Sequence, residues 1–351
     1  MKRPSFILSS FVFIILVLPA FFLKEKTALF LAKLVWSLVI AFFAYLLFKG
    51  SKISKLRSIL FIIIAWAFLF QFKFASPKTQ GVPFCHIAIV STFLNFLYNQ
   101  YLALTSGRWP VWGVLSLGFL WLVITLILGQ AWCAWVCFYG GFDDGFCRLL
   151  KRPLFKIKLP TKLRDFPLAF TIFIVIISFT AGLPVYCLWF CPLKATTQFL
   201  ERGDIFIRHL QLFIFIFVAL FFVLILPIVL KKRTFCSFLC PFGAFISVFG
   251  QLNPFRLTID KDKCIQCKTC IERCPMFAIN EESLARYQPL NYCNRCGECI
   301  DVCPTQAIKF TLAGREVRTV FIFCCLLILG ALSNLFVPQA FIKLIGMLSG
   351  G

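Results

Sequence analysis

The chain has 351 residues, 60% of them hydrophobic and only 14% charged, with 46 phenylalanines and a formal net charge of +22. Soluble domains average about 45–50% apolar, so the composition excludes an ordinary soluble globule. A nucleic-acid partner is excluded too: residues 259–310 carry seven basic and seven acidic side chains, and the other basic residues cluster beside apolar runs, as cytoplasmic loops do in membrane proteins.

Crossing the roughly 30 Å hydrocarbon layer takes about 20 apolar residues in a helix. Seven runs qualify in chain order: 5–23, 27–48, 57–72, 110–132, 166–186, 210–230 and 317–337. The first follows Lys2 and Arg3 and is succeeded by Lys24-Glu25-Lys26 without a small-residue cleavage site, so it reads as a retained signal-anchor. The stretch 82–104 is less apolar, carries Asn95, Asn99 and Gln100, and opens with the potential ligands Cys85 and His86. With a cytoplasmic N-terminus, and with 82–104 as an outer half-helix or surface helix, the charge-rich loops all fall inside. These are Lys49 to Arg57, Arg148 to Arg164, and Lys231 to Arg233.

Three of the runs end in a pair of cysteines four residues apart: "CAWVC" (Cys133, Cys137), "CLWFCP" (Cys187, Cys191) and "CSFLCP" (Cys236, Cys240). Cysteines at i and i+4 lie on one helix face. Such a pair can chelate a metal, supply half of a four-thiolate site, form a strained disulfide, or be two small apolar residues. The charge rule places the first and third pairs at the cytoplasmic face, where they are expected to converge into one four-thiolate group. It places Cys187 and Cys191 outside, near Cys85 and His86. Thiolates suit iron–sulfur, zinc or copper(I).

Next come "CIQCKTCIERCP" (Cys264, Cys267, Cys270, Cys274) and "CNRCGECIDVCP" (Cys293, Cys296, Cys299, Cys303). Both read C-x2-C-x2-C-x3-C-P, the two-cluster bacterial ferredoxin spacing, in which the fourth cysteine of each run serves the other cluster. Four-cysteine zinc sites use two C-x2-C pairs instead, and a cytoplasmic location disfavours disulfides. The spacing therefore predicts two [4Fe-4S] clusters. The first is ligated by Cys264, Cys267, Cys270 and Cys303, the second by Cys293, Cys296, Cys299 and Cys274. Cys147, Cys324 and Cys325 read as packing residues, and Asp143-Asp144, among loop glycines, as a cap.

The fold expected is an all-α polytopic membrane bundle of about seven spanning helices plus an outer half-helix, with an inserted small α+β two-cluster ferredoxin-like domain. Its parts are the bundle at 1–232, a C-x3-C-P connector at 233–257, the ferredoxin at 258–311, and a last span with its tail at 312–351.

"WCAWVC", a basic loop, and "FCSFLCPFGA" running into a two-cluster ferredoxin together resemble the NapH/NosR family of polyferredoxin-like membrane proteins, over about residues 82–310. By that resemblance, Cys133, Cys137, Cys236 and Cys240 occupy the family's C-x3-C-P positions. The resemblance also implies an inner-membrane protein with cytoplasmic clusters that move electrons between quinone or cytosolic donors and periplasmic systems. The sequence departs from the family at Phe138, which stands where proline is usual, and it lacks the flavin-bearing outer domain of NosR-like members. C-x-x-C-H haem and G-x-G-x-x-G nucleotide motifs are also absent.

The leading expectation is thus an electron-transfer subunit rather than a self-contained enzyme. It would take electrons from a cytoplasmic donor or quinone and hand them to a membrane or periplasmic partner. A copper(I)-handling reductase or assembly factor is the alternative, disfavoured by a chain with 3 Met and 2 His. A redox-sensing module is the third.

Overall fold

The computed structural model describes residues 3–22, 26–71, 86–107, 122–157, 163, 165–192 and 204–349. Its long helices follow from the apolar runs and end where the backbone must break. In chain order they are α1 (Arg3–Phe22), α2 (Thr27–Phe48), α3 (Ile53–Leu69), α4 (Phe166–Ala181), α5 (Ile205–Leu230), α6 (Arg318–Ser333) and α7 (Val337–Leu348). Pro167 opens α4, and Gly182 closes it at φ 65°, the left-handed position that glycine takes without a Cβ penalty.

Helix α5 shows how a proline is absorbed. Pro227 lies inside it, behind a π-helical stretch at Val218–Ile225. In that wider ladder the missing N–H of Pro227 leaves the carbonyl five residues back, that of Phe222, without its donor. The hydroxyl of buried Thr234 fills the gap, donating to it at 2.7 Å.

Among the described residues α1, α2 and α5 are long and apolar enough to cross a membrane. The pair α6 and α7, bent by 45°, adds a fourth span if counted as one. The apolar α3 and α4 are shorter, at 17 and 16 residues, and most of the expected run 110–132 lies outside the described residues. Phe6, Phe11, Leu31, Phe42 and Phe213 stand exposed on these helices. Such continuous exposed apolar surface suits lipid and is untenable in water. Of the stretch 82–104 the described residues, from His86 on, form two helices, His86–Ser91 and Phe93–Thr105, broken at Thr92.

The chain divides into two compact units. The first comprises residues 1–79, 131–145 and 254–351. In it α1, α2, α3, α6 and α7 pack together. Trp36 donates its indole N–H to Ser333 Oγ at 2.9 Å, and Asn334 donates to Ser37 Oγ at 3.3 Å, polar links that hold helices together in an apolar interior.

The same unit contains an antiparallel sheet of β1 (Phe255–Ile259), β2 (Ile308–Leu312) and β3 (Arg315–Glu316). Its register pairs Phe255 with Leu312 and Leu312 with Arg315, so Ala313 and Gly314, both at positive φ, form a two-residue hairpin turn. Along β1, Phe255, Leu257 and Ile259 are buried while Arg256 is exposed, the period-2 pattern of a one-sided sheet. Phe255 and Phe310 pack on Phe321, in the first turn of α6.

The second unit comprises residues 80–130 and 146–253. Here α4 packs against the helices at 86–105, 185–189 and 241–249. Asn95 donates to the carbonyl of Ser178 at 3.0 Å, and Asn253 to that of Leu126 at 2.6 Å.

Candidate functional site

The two cysteine runs fold as one element used twice. The second copy follows the first at a constant offset, Cys264 matching Cys293 and Cys274 matching Cys303. Left-handed residues recur at matched positions: Gln266 and Arg295, Lys268 and Gly297, Phe277 and Gln306. A left-handed residue at alternate positions is the pattern of anion-binding nests, in which successive N–H groups face a common centre. Lys268 and Gly297 then begin the short helices Thr269–Arg273 and Glu298–Val302. Four residues past the last cysteine of each copy an amide returns to its sulfur. Ala278 N–H donates to Cys274 Sγ and Ala307 N–H to Cys303 Sγ, each at 3.3 Å. That return explains why "CPMFA" and "CPTQA" echo each other.

Two cavities result. Cys264, Cys267, Cys270 and Cys303 line one, together with Ile259, Leu284 and Ile308. Cys274, Cys293, Cys296 and Cys299 line the other, together with Leu257, Met276 and Ile279. Each cavity takes three cysteines from one run and the last from the other.

The donor set fits an iron–sulfur cluster. Burial pushes the thiol of Cys270 up to about 11, that of Cys296 to about 11 and that of Cys293 to about 12, and Cys299 is raised well above its usual value. Arg57 pulls Cys296 the other way. Thiols so placed become thiolates only against a strong positive charge, which a metal centre brings. Within either unit no three His, Cys, Asp or Glu side chains among the described residues could hold a single metal ion. A cubane differs from such a site because each of its irons takes one thiolate, so the sulfurs stand farther apart than around one ion.

The two copies differ in their surroundings. In the first, Ile265, Gln266, Cys267 and Lys268 are all exposed. In the second, the matching Asn294, Arg295, Cys296 and Gly297 are all buried. The N-terminus of α3 covers them. Asp301 accepts the backbone N–H groups of Ile53 at 3.0 Å and Ser54 at 2.7 Å, and Ser54 Oγ donates to Glu298. A Cβ on Gly297 (φ 83°) would lie 2.9 Å from Ile53, so this copy has glycine where the solvent-facing copy has lysine.

The same junction holds a buried ion pair. Arg57 and Asp144 are 1% and 0% exposed. One terminal nitrogen of Arg57 donates to both carboxylate oxygens at 2.8 and 3.0 Å, and Ser58 Oγ donates to Asp144 at 2.7 Å. Arg57 Nε donates to the carbonyl of Cys296 at 3.2 Å, and its other terminal nitrogen to that of Ala134. Trp135 Nε1 donates to the carbonyl of Arg295 at 3.4 Å. The first C-x3-C turn therefore packs against the loop of the second cavity. Asp144 is no cap, and Arg57 is no solvated loop charge.

The C-x3-C pairs share a conformation that spacing alone does not give. In each, the second cysteine lies just outside the short helix that holds the first: Trp132–Trp135, Val185–Trp189 or the π-helical Phe235–Leu239. Its amide donates to the carbonyl five residues back. Cys137 reaches Trp132 at 3.0 Å, Cys191 reaches Tyr186 at 3.1 Å and Cys240 reaches Phe235 at 3.2 Å. An aromatic residue precedes the first cysteine every time, and a left-handed residue lies four or five positions before it: Gly129, Gly182 or Lys231. Cys191 and Cys240 precede prolines, which bias the preceding residue out of the helical region, and Cys240 is extended at φ −83°, ψ 109°. Cys137 makes the same bond with Phe138 in the proline's place.

Cys133 and Cys137 belong to the first unit, Cys236 and Cys240 to the second. Buried Arg233 donates to Cys236 Sγ at 3.5 Å. Cys187 and Cys191 are half-buried, Cys85 lies outside the described residues, and His86 opens its short helix. Cys147 and Cys325 are buried, as packing residues are.

A family model described as a 4Fe-4S dicluster domain matches residues 263–308. Another, described as a 4Fe-4S binding domain, matches residues 109–159, 166–212 and 210–259, each match containing one C-x3-C pair. An uncharacterised protein of Methanocaldococcus jannaschii is 30% identical over 160 residues, 44% of this chain and 62% of its own. YccM of Escherichia coli, whose name proposes electron transport, is 25% identical over 190 residues, 51% of each chain. MauN of Methylobacillus flagellatus, named a methylamine utilization ferredoxin-type protein, is 26% identical over 152 residues, 42% of this chain and 48% of its own. The chain thus spans about half to three fifths of the length of these curated relatives. No solved structure matches.

Proposed function

We propose that this chain, similar to ferredoxin-type 4Fe-4S proteins of the polyferredoxin kind, relays electrons at an inner membrane through two clusters held at its two four-cysteine cavities. The observation that carries this reading is the unequal burial of the two matched loops. The site of Cys264, Cys267, Cys270 and Cys303, reached from solvent at the exposed Cys267, serves a soluble cytoplasmic donor. Cys274, Cys293, Cys296 and Cys299 face α3 and the Cys133–Cys137 turn, and serve the membrane side. Orientation follows from Lys49, Lys52 and Lys55, which put the start of α3 and the docked ferredoxin on the cytoplasmic face.

A bound cluster supplies one-electron storage at a potential set by charge, hydrogen bonds to sulfur and solvent access. The protein's own residues set those conditions. The amides of Ala278 and Ala307 donate to Cys274 and Cys303. Thr269 holds the exposed Cys267 thiol below its usual range by hydrogen bonding. Leu257, Met276 and Ile279 keep the second cavity apolar. The onward acceptor, a membrane quinone or a periplasmic redox protein, would take electrons from the side where Trp135 touches the second loop.

Proteoliposomes test the proposal. A membrane-impermeant reductant on the ferredoxin side should reduce a quinone in the bilayer, and Cys274→Ala should abolish that transfer. Undiminished transfer in the variant would refute the relay.

A further inference from the structure

A buried ion pair is weak evidence for stability, since well-packed apolar residues in its place are often neutral or better. Arg57 and Asp144 therefore call for another account, and their orientation supplies one. The guanidinium, not the carboxylate, touches the loop of the second cavity, through the carbonyl of Cys296. Asp144 is held behind it by Arg57 and Ser58. The positive end of the pair thus faces the four-cysteine site, inside the protein, where charge is poorly screened.

The second site needs such a charge more than the first. Adding an electron adds negative charge, and burial penalises that charge. At the first site Cys267 is exposed, and water offsets the penalty. At the second the matching Cys296 is buried. Without compensation the second cluster would be the harder to reduce, and electrons would stall at the exposed one.

We propose that Arg57, oriented by Asp144, is a positioning residue that raises the reduction potential of the second cluster and so lets electrons pass inward from the exposed site. This rests on the reading that Cys274, Cys293, Cys296 and Cys299 hold a cluster, which the iron and sulfide content of the unmodified protein tests separately.

The test is a dithionite titration of the full chain in detergent, followed by electron paramagnetic resonance, in which dithionite supplies the one electron each cluster accepts. The two signals are first assigned with Cys274→Ala. Arg57→Gln should lower the second potential until the ratio of reduced to oxidised cluster falls at least tenfold at fixed ambient potential, about 59 mV for a one-electron couple. Asp144→Asn, which removes the opposing charge, should move it upward. Arg57→Lys, which keeps the charge, should shift it less than Arg57→Gln. The first cluster should stay unchanged throughout. A merely structural role would not give opposite signs for the two partners. Equal shifts at both clusters, no shift in any variant, or loss of both signals in all three would overturn the proposal. If Arg57→Gln alone loses the second signal, the directions in Asp144→Asn and Arg57→Lys decide.

Discussion

Asp301 accepts the backbone N–H of Ser54 at 2.7 Å, so a carboxylate between two cavity cysteines caps a helix 247 residues away in sequence. The cap ties the second cysteine run to α3. Replacing an N-capping side chain by alanine costs about 0.5–2 kcal/mol. Asp301→Ala should lower the thermal midpoint of the purified protein and raise the protease sensitivity of residues 294–302. An unchanged digestion pattern would show that the cap does not hold the junction.

Asp301 also gives a pH dependence with a definite sign. Burial raises its pKa, against the pull of the Ser54 and Ile53 amides. A folded value above the unfolded one means that the folded state binds the proton more readily. This stability is complete below the unfolded value and lost as pH rises through the folded one. On acidification from neutral pH into the carboxylate range, the wild type should therefore gain stability relative to Asp301→Asn. Melting both proteins across that range checks the sign.

Gly297→Ala should destabilise the junction by about 1–3 kcal/mol, from a strained positive φ and a contact with Ile53. Combining it with Ile53→Ala should recover the steric part alone. Lys268, the matching residue, already carries a side chain at φ 59° in open surroundings, and Lys268→Ala should be nearly silent. Equal costs at both positions would contradict the account of why the copies differ.

Thr234→Val removes the donor to the Phe222 carbonyl and should cost about 1–3 kcal/mol. In a Pro227→Ala background the restored backbone N–H should make the same change cheaper. Additive effects in the double variant would show that Thr234 is not compensating for the proline.

The cysteine runs were legible in sequence because cluster ligation demands a short, fixed spacing, and the cavities group the side chains as that spacing implies. Of the seven apolar runs, those at 5–23, 27–48 and 210–230 appear among the described residues as helices long and apolar enough to span, and 317–337 as part of a bent pair. Arg57 was not legible. A basic residue beside an apolar run reads as a loop charge, and only packing puts it at 1% exposure against an aspartate 87 positions away. The C-x3-C pairs misled through their i, i+4 spacing, which implies one helix face only where the helix continues. The prolines after Cys191 and Cys240 marked the break, while at Cys137 nothing in the sequence did. Asp301 has no local signature in the sequence, because the helix it caps lies 247 residues away.

The central claim is that the two cavities each hold a four-iron cluster. Iron and acid-labile sulfide, counted per chain in the anaerobically purified full-length protein, test it most directly. Two clusters predict about eight of each, falling to about four in Cys274→Ala. About four in the unmodified protein, or zinc in place of iron and sulfide, would contradict the account.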